Sequence, residues 1–327
     1  MYFSGPHKVI VACVAAASVI ILITVGVLIS RHLNFSAEKP IVSASPQVAD
    51  VAPAPERHVA DRPPTTPRPE ECRGKPGALG TSRTIFVDPQ EHRRIGTMNY
   101  PETLPLRDKE VVLTFDDGPE HPNTDKVLDI LASECARATF FTVGRMAKIH
   151  PELLRRAVEE GHAVGTHTMN HPLRFRALSV ERARQEIDDG IKAAVAALGD
   201  QSKLAPFFRF PGFGRTDAAE EYLESRGLMV WSADFPADDW RRISPEEVAR
   251  RALSRLEAKG KGVLLLHDIH ERTVEALPII FDALKARGYH VVHVEPASPD
   301  HPATPTKADQ WRPRREATQA RLSNRIQ

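Results

Sequence analysis

Adjacent carboxylates at Asp116 and Asp117 stand at the head of a Gly118-Pro119 turn, and His167-Thr168-Met169-Asn170-His171 sets two imidazoles four residues apart. Neutral imidazole and carboxylate are preferred ligands of zinc and similar divalent ions, and a catalytic site keeps three protein ligands so that water can take an open position. Histidines at this spacing chelate one ion if the segment turns helically. Of the two carboxylates, one can bind the ion while its neighbour stays free to take a proton, because ligand and base do different jobs. Taken alone, the pair reads equally as a solvated turn, since Asp-Gly-Pro is strong turn chemistry. The choice depends on whether the fold gathers these residues with the other unusual polar ones, Arg209, Asp234, His267 and Asp268.

Elements able to do this are visible as β-rich runs at 111–115, 138–143, 162–166, 207–210, 228–233, 262–266 and 289–294, with a further run at 83–87. Segments of helical period intervene at 124–134, 151–160, 180–198, 217–226, 245–259 and 274–287. One start is well marked: Ser244-Pro245-Glu246-Glu247 supplies an N-cap, a proline at the first helical position and a capping-box glutamate. Regular alternation of strand and helix predicts one parallel α/β domain. On that map Asp116 and Asp117 follow the first of the seven main strands, and His167 and His171 follow the third. Arg209 ends the fourth, Asp234 follows the fifth, and His267 with Asp268 follows the sixth. The polar residues therefore collect at strand carboxyl ends, where parallel barrels and open parallel sheets alike build their sites.

The motifs Leu113-Thr114-Phe115-Asp116-Asp117-Gly118-Pro119, His167-Thr168-x-x-His171-Pro172, Arg209-x-Pro211, Asp239-Trp240 and Leu264-Leu265-Leu266-His267-Asp268 occur in that order. In this the chain resembles the NodB-type polysaccharide deacetylase family, carbohydrate esterase family 4. The resemblance implies a distorted (β/α)7 barrel and a metal site of Asp117, His167 and His171, holding most often zinc, with cobalt or another divalent ion as alternatives. It also implies Asp116 as general base, His267 as general acid, Arg209 orienting Asp116, and Asp239 tuning His267. Trp240 and Leu265 would line a pocket for the acetyl methyl, and the backbone N–H of Gly212 would face the oxyanion, with Phe213 beside it on the groove wall. The implied reaction is hydrolysis of an acetamide in an acetylated polysaccharide, peptidoglycan before chitooligosaccharide. An O-acetyl esterase or another amide hydrolase using the same site, and a non-catalytic glycan-binding envelope protein, are the alternatives. Two departures stand out: Gly212 replaces the aromatic residue common after Arg-x-Pro, and Pro236 falls where the fourth motif usually has its first Asp, a role that Asp234 or Asp238 would have to take over.

The rest of the chain sets the context. Residues 9–29 are apolar without a charge, long enough for a helix crossing a bilayer and too long for the apolar stretch of a cleaved signal. Residues 1–33 are thus expected to be a single-pass anchor in the cytoplasmic membrane, with the domain on its periplasmic or extracellular side. A proline-rich linker at 34–77, a lead-in segment at 78–107, the catalytic domain at 108–296 and a disordered basic tail at 297–327 complete the expected layout. With 44 Lys and Arg against 43 Asp and Glu there is no global field to recruit nucleic acid, and no obligate protein partner is inferred. Three cysteines exclude a disulfide framework and a cysteine zinc site; Cys72 and Cys135 could bridge, and two free thiols fit as well.

Overall fold

The structure, a computed structural model, describes residues 75–313. The expected anchor at 9–29, nearly all of the expected linker, and the tail from 314 onward lie outside the described residues. In chain order the elements are β1 (Thr81–Val87), β2 (Arg94–Ile95), β3 (Glu110–Asp116), α1 (Asn123–Ser133), β4 (Thr139–Thr142), α2 (Gly144–Ile149), α3 (Pro151–Glu159) and β5 (Ala163–Thr166). They continue with α4 (Val180–Leu198), β6 (Phe207–Phe208), α5 (Asp217–Ser225), β7 (Met229–Trp231), β8 (Phe235–Pro236), α6 (Pro245–Lys259), β9 (Gly262–His267), α7 (Glu271–Ala286) and β10 (His290–Pro296). All seven expected main strands are present, shortened or lengthened at their ends. The Ser244 hydroxyl caps α6 by accepting from the Glu247 N–H.

Every strand pairing is parallel, in the order β1-β10-β3-β4-β5-β6-β7-β2, with β9 on β3 and β8 on β9. The parallel α/β class is as expected, but the strand ladder does not close into the implied barrel ring. Between β7 and β9 the Asp234 side chain takes the place of a continuous ladder, its carboxylate accepting from the Val263 N–H at 2.8 Å and the Thr97 N–H at 2.9 Å. Pro236 in β8 has no N–H to give.

Side-chain alternation along β3 sorts its residues between two cores. Val111, Leu113 and Phe115 pack outward with Val127, Leu128 and Leu131 of α1 and Leu277, Ile280 and Phe281 of α7. Val112 packs on the opposite face with Phe141, Phe207, Trp231 and Val263. Thr114 and Asp116 share that inner face, so the strand itself delivers a carboxylate to the interior.

The lead-in segment belongs to the sheet through β1 and β2. Residues 297–313, expected as part of a disordered tail, pack against it. The Thr304 N–H donates to the Phe86 carbonyl at 2.9 Å, and the Thr103 N–H donates to the Trp311 carbonyl at 2.7 Å. Trp311 is 3% exposed and stacks on His92. Polar composition hid this anchoring indole. Cys135 is disulfide-bonded to a partner outside the described residues.

Candidate active site

Asp116 is the last residue of β3, and Asp117 follows it at φ 82°, a left-handed conformation that swings its carboxylate out of the strand line. The next residue holds this turn. The Gly118 N–H donates to Asp268 Oδ1 at 3.1 Å, while its carbonyl accepts from the Thr142 hydroxyl at 3.0 Å and the Val143 N–H at 3.1 Å. A Cβ on Gly118 would lie 2.1 Å from Asp268 Oδ2, so only glycine fits. Asp268 is 1% exposed, and its Oδ2 accepts from the Thr124 hydroxyl at 2.6 Å. Burial pushes this carboxyl up to about 7, against the pull of the Thr124 hydrogen bond.

His167 and His171 come off the end of β5, but not on a helix. Thr168 at φ 67° and His171 at φ 55° bend the segment into a turn that brings the two rings to 4.9 Å between centroids. Glu186 of α4 clamps the turn: its carboxylate accepts from the Asn170 N–H and side-chain amide, both at 2.9 Å, and its carbonyl accepts from the Met169 N–H. The helix comes this close because residue 190 is glycine, where a Cβ would lie 2.6 Å from the Thr168 carbonyl carbon.

The resulting donor set fits a divalent cation. Asp117 Oδ1 is buried without a hydrogen-bond partner and is faced by His171 Nε2 at 3.2 Å and His167 Nε2 at 3.5 Å. His167 Nδ1 lies 2.7 Å from the Arg209 carbonyl, which takes its proton and leaves Nε2 as the free donor. Burial drives the His167 imidazole down to about 3, despite the opposing Asp117 charge, so the ring is neutral as a ligand must be. Two imidazoles and a carboxylate suit zinc and similar ions.

Two charge pairs flank this set. Arg209, fully buried, donates to Asp116 Oδ1 at 2.7 Å, to the Thr114 hydroxyl at 2.9 Å and to the Ser232 carbonyl at 3.0 Å. Its guanidinium lies 4.1 Å from the Phe141 ring centroid. Burial raises the Asp116 carboxyl above its ordinary range and Arg209 pulls it back, the guanidinium keeping its charge at any working pH. Opposite, Asp239 Oδ1 accepts from His267 Nδ1 at 2.8 Å, and Oδ2 accepts from the His267 N–H and the Thr273 hydroxyl, both at 2.7 Å. Burial alone would lower the His267 imidazole, but the Asp239 carboxylate overrides it and holds the ring up at about 9.

The substrate-pocket residues are placed less uniformly. Trp240 is 45% exposed and meets His267 edge-on with ring centroids 5.6 Å apart. Leu265 is buried on β9, two residues before His267 and on the same strand face. Gly212, at φ 52°, lies in a short 3-10 turn, Pro211–Phe213, and its N–H has no backbone partner among the described residues. Phe213 instead lines a small cavity with Tyr100 and Arg215. Neither suggested replacement for the altered fourth motif reaches the site. Asp234 is occupied by Thr97, Thr103 and Val263, and Asp238 by Arg251 at 2.7 Å and Arg255 at 2.8 Å. Two residues that position the ligand loops, Asp268 and Glu186, had no assigned role in the sequence; only the adjacency of Asp268 to His267 hinted at one.

A family model described as polysaccharide deacetylase matches residues 103–231. The chain is 34% identical over 196 residues to a peptidoglycan-N-acetylglucosamine deacetylase of Bacillus cereus, covering 58% of this chain and 89% of that one. It is 33% identical over 189 residues to a peptidoglycan-N-acetylglucosamine deacetylase of Listeria monocytogenes, covering 57% of this chain but only 38% of the length of that relative. Among solved structures, a peptidoglycan deacetylase of Bdellovibrio bacteriovorus matches with a TM-score of 0.61 at 30% identity, over 71% of this chain and 65% of that one. With its strand-end Asp, His and Arg residues set in a parallel α/β frame, this chain belongs to the polysaccharide deacetylase family.

Proposed function

We propose that the chain is a divalent-metal-dependent N-deacetylase that hydrolyses the acetamide of N-acetylglucosamine-type units in a cell-envelope polysaccharide, with peptidoglycan the first candidate. One observation carries this reading: a buried Arg209–Asp116 pair and a buried Asp239–His267 pair present a base and an acid around a three-donor cation site. The activities in the names of the Bacillus, Listeria and Bdellovibrio relatives support the substrate class.

Asp117, His167 and His171 would hold the ion, zinc being the best match to the donors. When bound, it supplies Lewis acidity toward the acetamide carbonyl and toward the attacking water. Asp116, whose charged form Arg209 favours against burial, takes the proton as water adds to the carbonyl carbon. The Gly212 N–H, without a backbone partner among the described residues, is the candidate donor for the oxyanion that develops on the former carbonyl oxygen. His267, protonated through Asp239, gives its proton to the amine nitrogen as the C–N bond breaks, which releases acetate and a free amino sugar. Proton return from Asp116 to solvent and reprotonation of His267 close the cycle. Trp240, exposed beside His267, offers a ring face to the sugar. The apolar segment at 9–29 would hold the enzyme at the outer face of the cytoplasmic membrane, where this polymer is met.

Acetate release from N-acetylglucosamine oligomers and from peptidoglycan tests the reading, with metal-stripped protein and Asp116→Asn as controls. Loss of a general base lowers the rate by about 10²–10⁴. Ordinary turnover in Asp116→Asn, or release of acetate only from O-acetyl esters, would overturn it.

A further inference from the structure

The segment between Asp117 and α1 brings a second group of ligand-type side chains together, which the hydrolytic reading leaves unused. His121 in that segment, His150 at the α2–α3 junction and Glu152 in the first turn of α3 each place one donor atom within 4.8 Å of the others. His121 Nε2 is 3.1 Å from Glu152 Oε1, and His150 Nδ1 is 3.7 Å from the same oxygen. The two imidazoles meet edge to face with centroids 4.9 Å apart. Tetrahedral zinc, with bonds of about 2.0–2.2 Å, sets neighbouring donors roughly 3.3–3.6 Å apart. The two spacings to Glu152 bracket that range before any side chain moves, and the two imidazole donors lie within 4.8 Å of each other.

The other nitrogen of His121 is also accounted for. Nδ1 lies 2.5 Å from Asp125 Oδ2, four residues on in α1. A carboxylate accepting from Nδ1–H fixes the tautomer and leaves Nε2 as the lone-pair donor, the arrangement that commonly stands behind a metal-binding histidine. Arg156 does not compete for the Asp125 carboxylate. Its guanidinium is held by Asp129 at 2.6 Å and Glu160 at 2.7 Å, and it reaches only the Asp125 carbonyl, at 3.4 Å. The His121 and Glu152 side chains are 47% and 52% exposed, so an ion can enter from solvent and keep water as its remaining ligand.

We propose that His121, His150 and Glu152 form a second divalent-cation site, of the zinc class, which ties the loop carrying Asp117 to the α2–α3 junction. Two imidazoles among three donors disfavour calcium and magnesium, which take oxygen ligands. The rival occupant is a proton: an imidazolium at His121 bridging Asp125 and Glu152 would use the same geometry with no ion.

Calorimetric titration of the metal-stripped full-length chain with zinc separates the two. The wild type is expected to bind two ions, His150→Ala and His171→Ala one each, and the double variant none. Glu152→Gln, a surface change that leaves the fold intact, should weaken the second ion at least tenfold. If the Asp117–His167–His171 set holds no zinc, the wild type binds one ion, which His150→Ala loses and His171→Ala keeps. Equal stoichiometry and affinity in wild type, His150→Ala and Glu152→Gln overturns the proposal in favour of the bridging imidazolium.

Discussion

Replacing Asp239 with Asn removes one charge with little change of shape, yet it should strip His267 of its proton at neutral pH. The carboxylate holds the imidazole at about 9, against an ordinary value of 6.5. At pH 7 that leaves about 99% of the rings protonated, a hundredfold excess of acid over base. Without that charge the value should fall toward 6.5, burial favouring the neutral ring while the Asp117 and Asp116 charges still oppose it; at 6.5 about a quarter of the rings would be protonated. A fall from about 9 all the way to 6.5 would correspond to about 3 kcal/mol of lost preference for the imidazolium. Geometry adds to this, since one amide oxygen cannot serve the three donors that the two carboxylate oxygens accept, His267 Nδ1–H, the His267 N–H and the Thr273 hydroxyl. Acetate release measured from pH 5.5 to 10 should show the alkaline limb of kcat/KM falling from about 9 in the wild type toward 6.5 in the variant. At pH 7 the smaller protonated fraction should lower the rate by about fourfold, with KM little changed. A bound cation offsets both proteins alike, so the difference survives it. The sign for stability follows: a raised imidazole value gives a contribution fully present below 6.5 and lost as pH rises through about 9. An alkaline limb that stays near 9 in the variant would refute the assignment of His267 as an acid maintained by Asp239.

Arg209→Met should destabilise the fold by about 3–5 kcal/mol in urea denaturation, because it leaves Asp116 as an unpaired buried charge. Its acid limb of activity should also move to higher pH as Asp116 loses its cation. Asp268→Ala strands the Gly118 N–H and the Thr124 hydroxyl and should cost about 1–3 kcal/mol for each, whereas Asp268→Asn keeps an acceptor and should lose much less; thermal denaturation ranks the two. Trp311→Ala should lower stability by about 3–5 kcal/mol while kcat stays unchanged, a loss of melting temperature without a loss of acetate release.

The elements that carry the site were legible because each has a strong local signature. The inner faces of β3 and β9 alternate with outer faces that read as near-continuous apolar runs, as strands covered by helices should. The short strands β2 and β8 carry too few residues for any period to register, and β8 includes a proline. Helix α2, only six residues, gave no apolar pattern of its own. The packed segment at 297–313 was missed because one tryptophan among polar residues weighs little in composition, while in the fold its 3% exposure and its stack on His92 hold the segment down.

Within the site, a gap separates residue identity from residue role. Asp117, His167 and His171 announce themselves by type and spacing, but their convergence depends on left-handed backbone at Asp117, Thr168 and His171, uncommon for any residue with a side chain and least suited to the β-branched Thr168. Such conformations persist only where neighbours over-determine them. The neighbours here are Asp268 on the Gly118 N–H and Glu186 on Asn170, two buried carboxylates spent on holding loops. In sequence they look like any acidic residue after a strand or on a helix. Their function exists only through contacts with residues 150 and 16 positions away along the chain. The same reasoning separates Asp239 from Asp234 and Asp238. All three are buried acids in one short loop, and only the one whose oxygens meet His267 belongs to the chemistry, while the others hold β7, β9 and α6 in register.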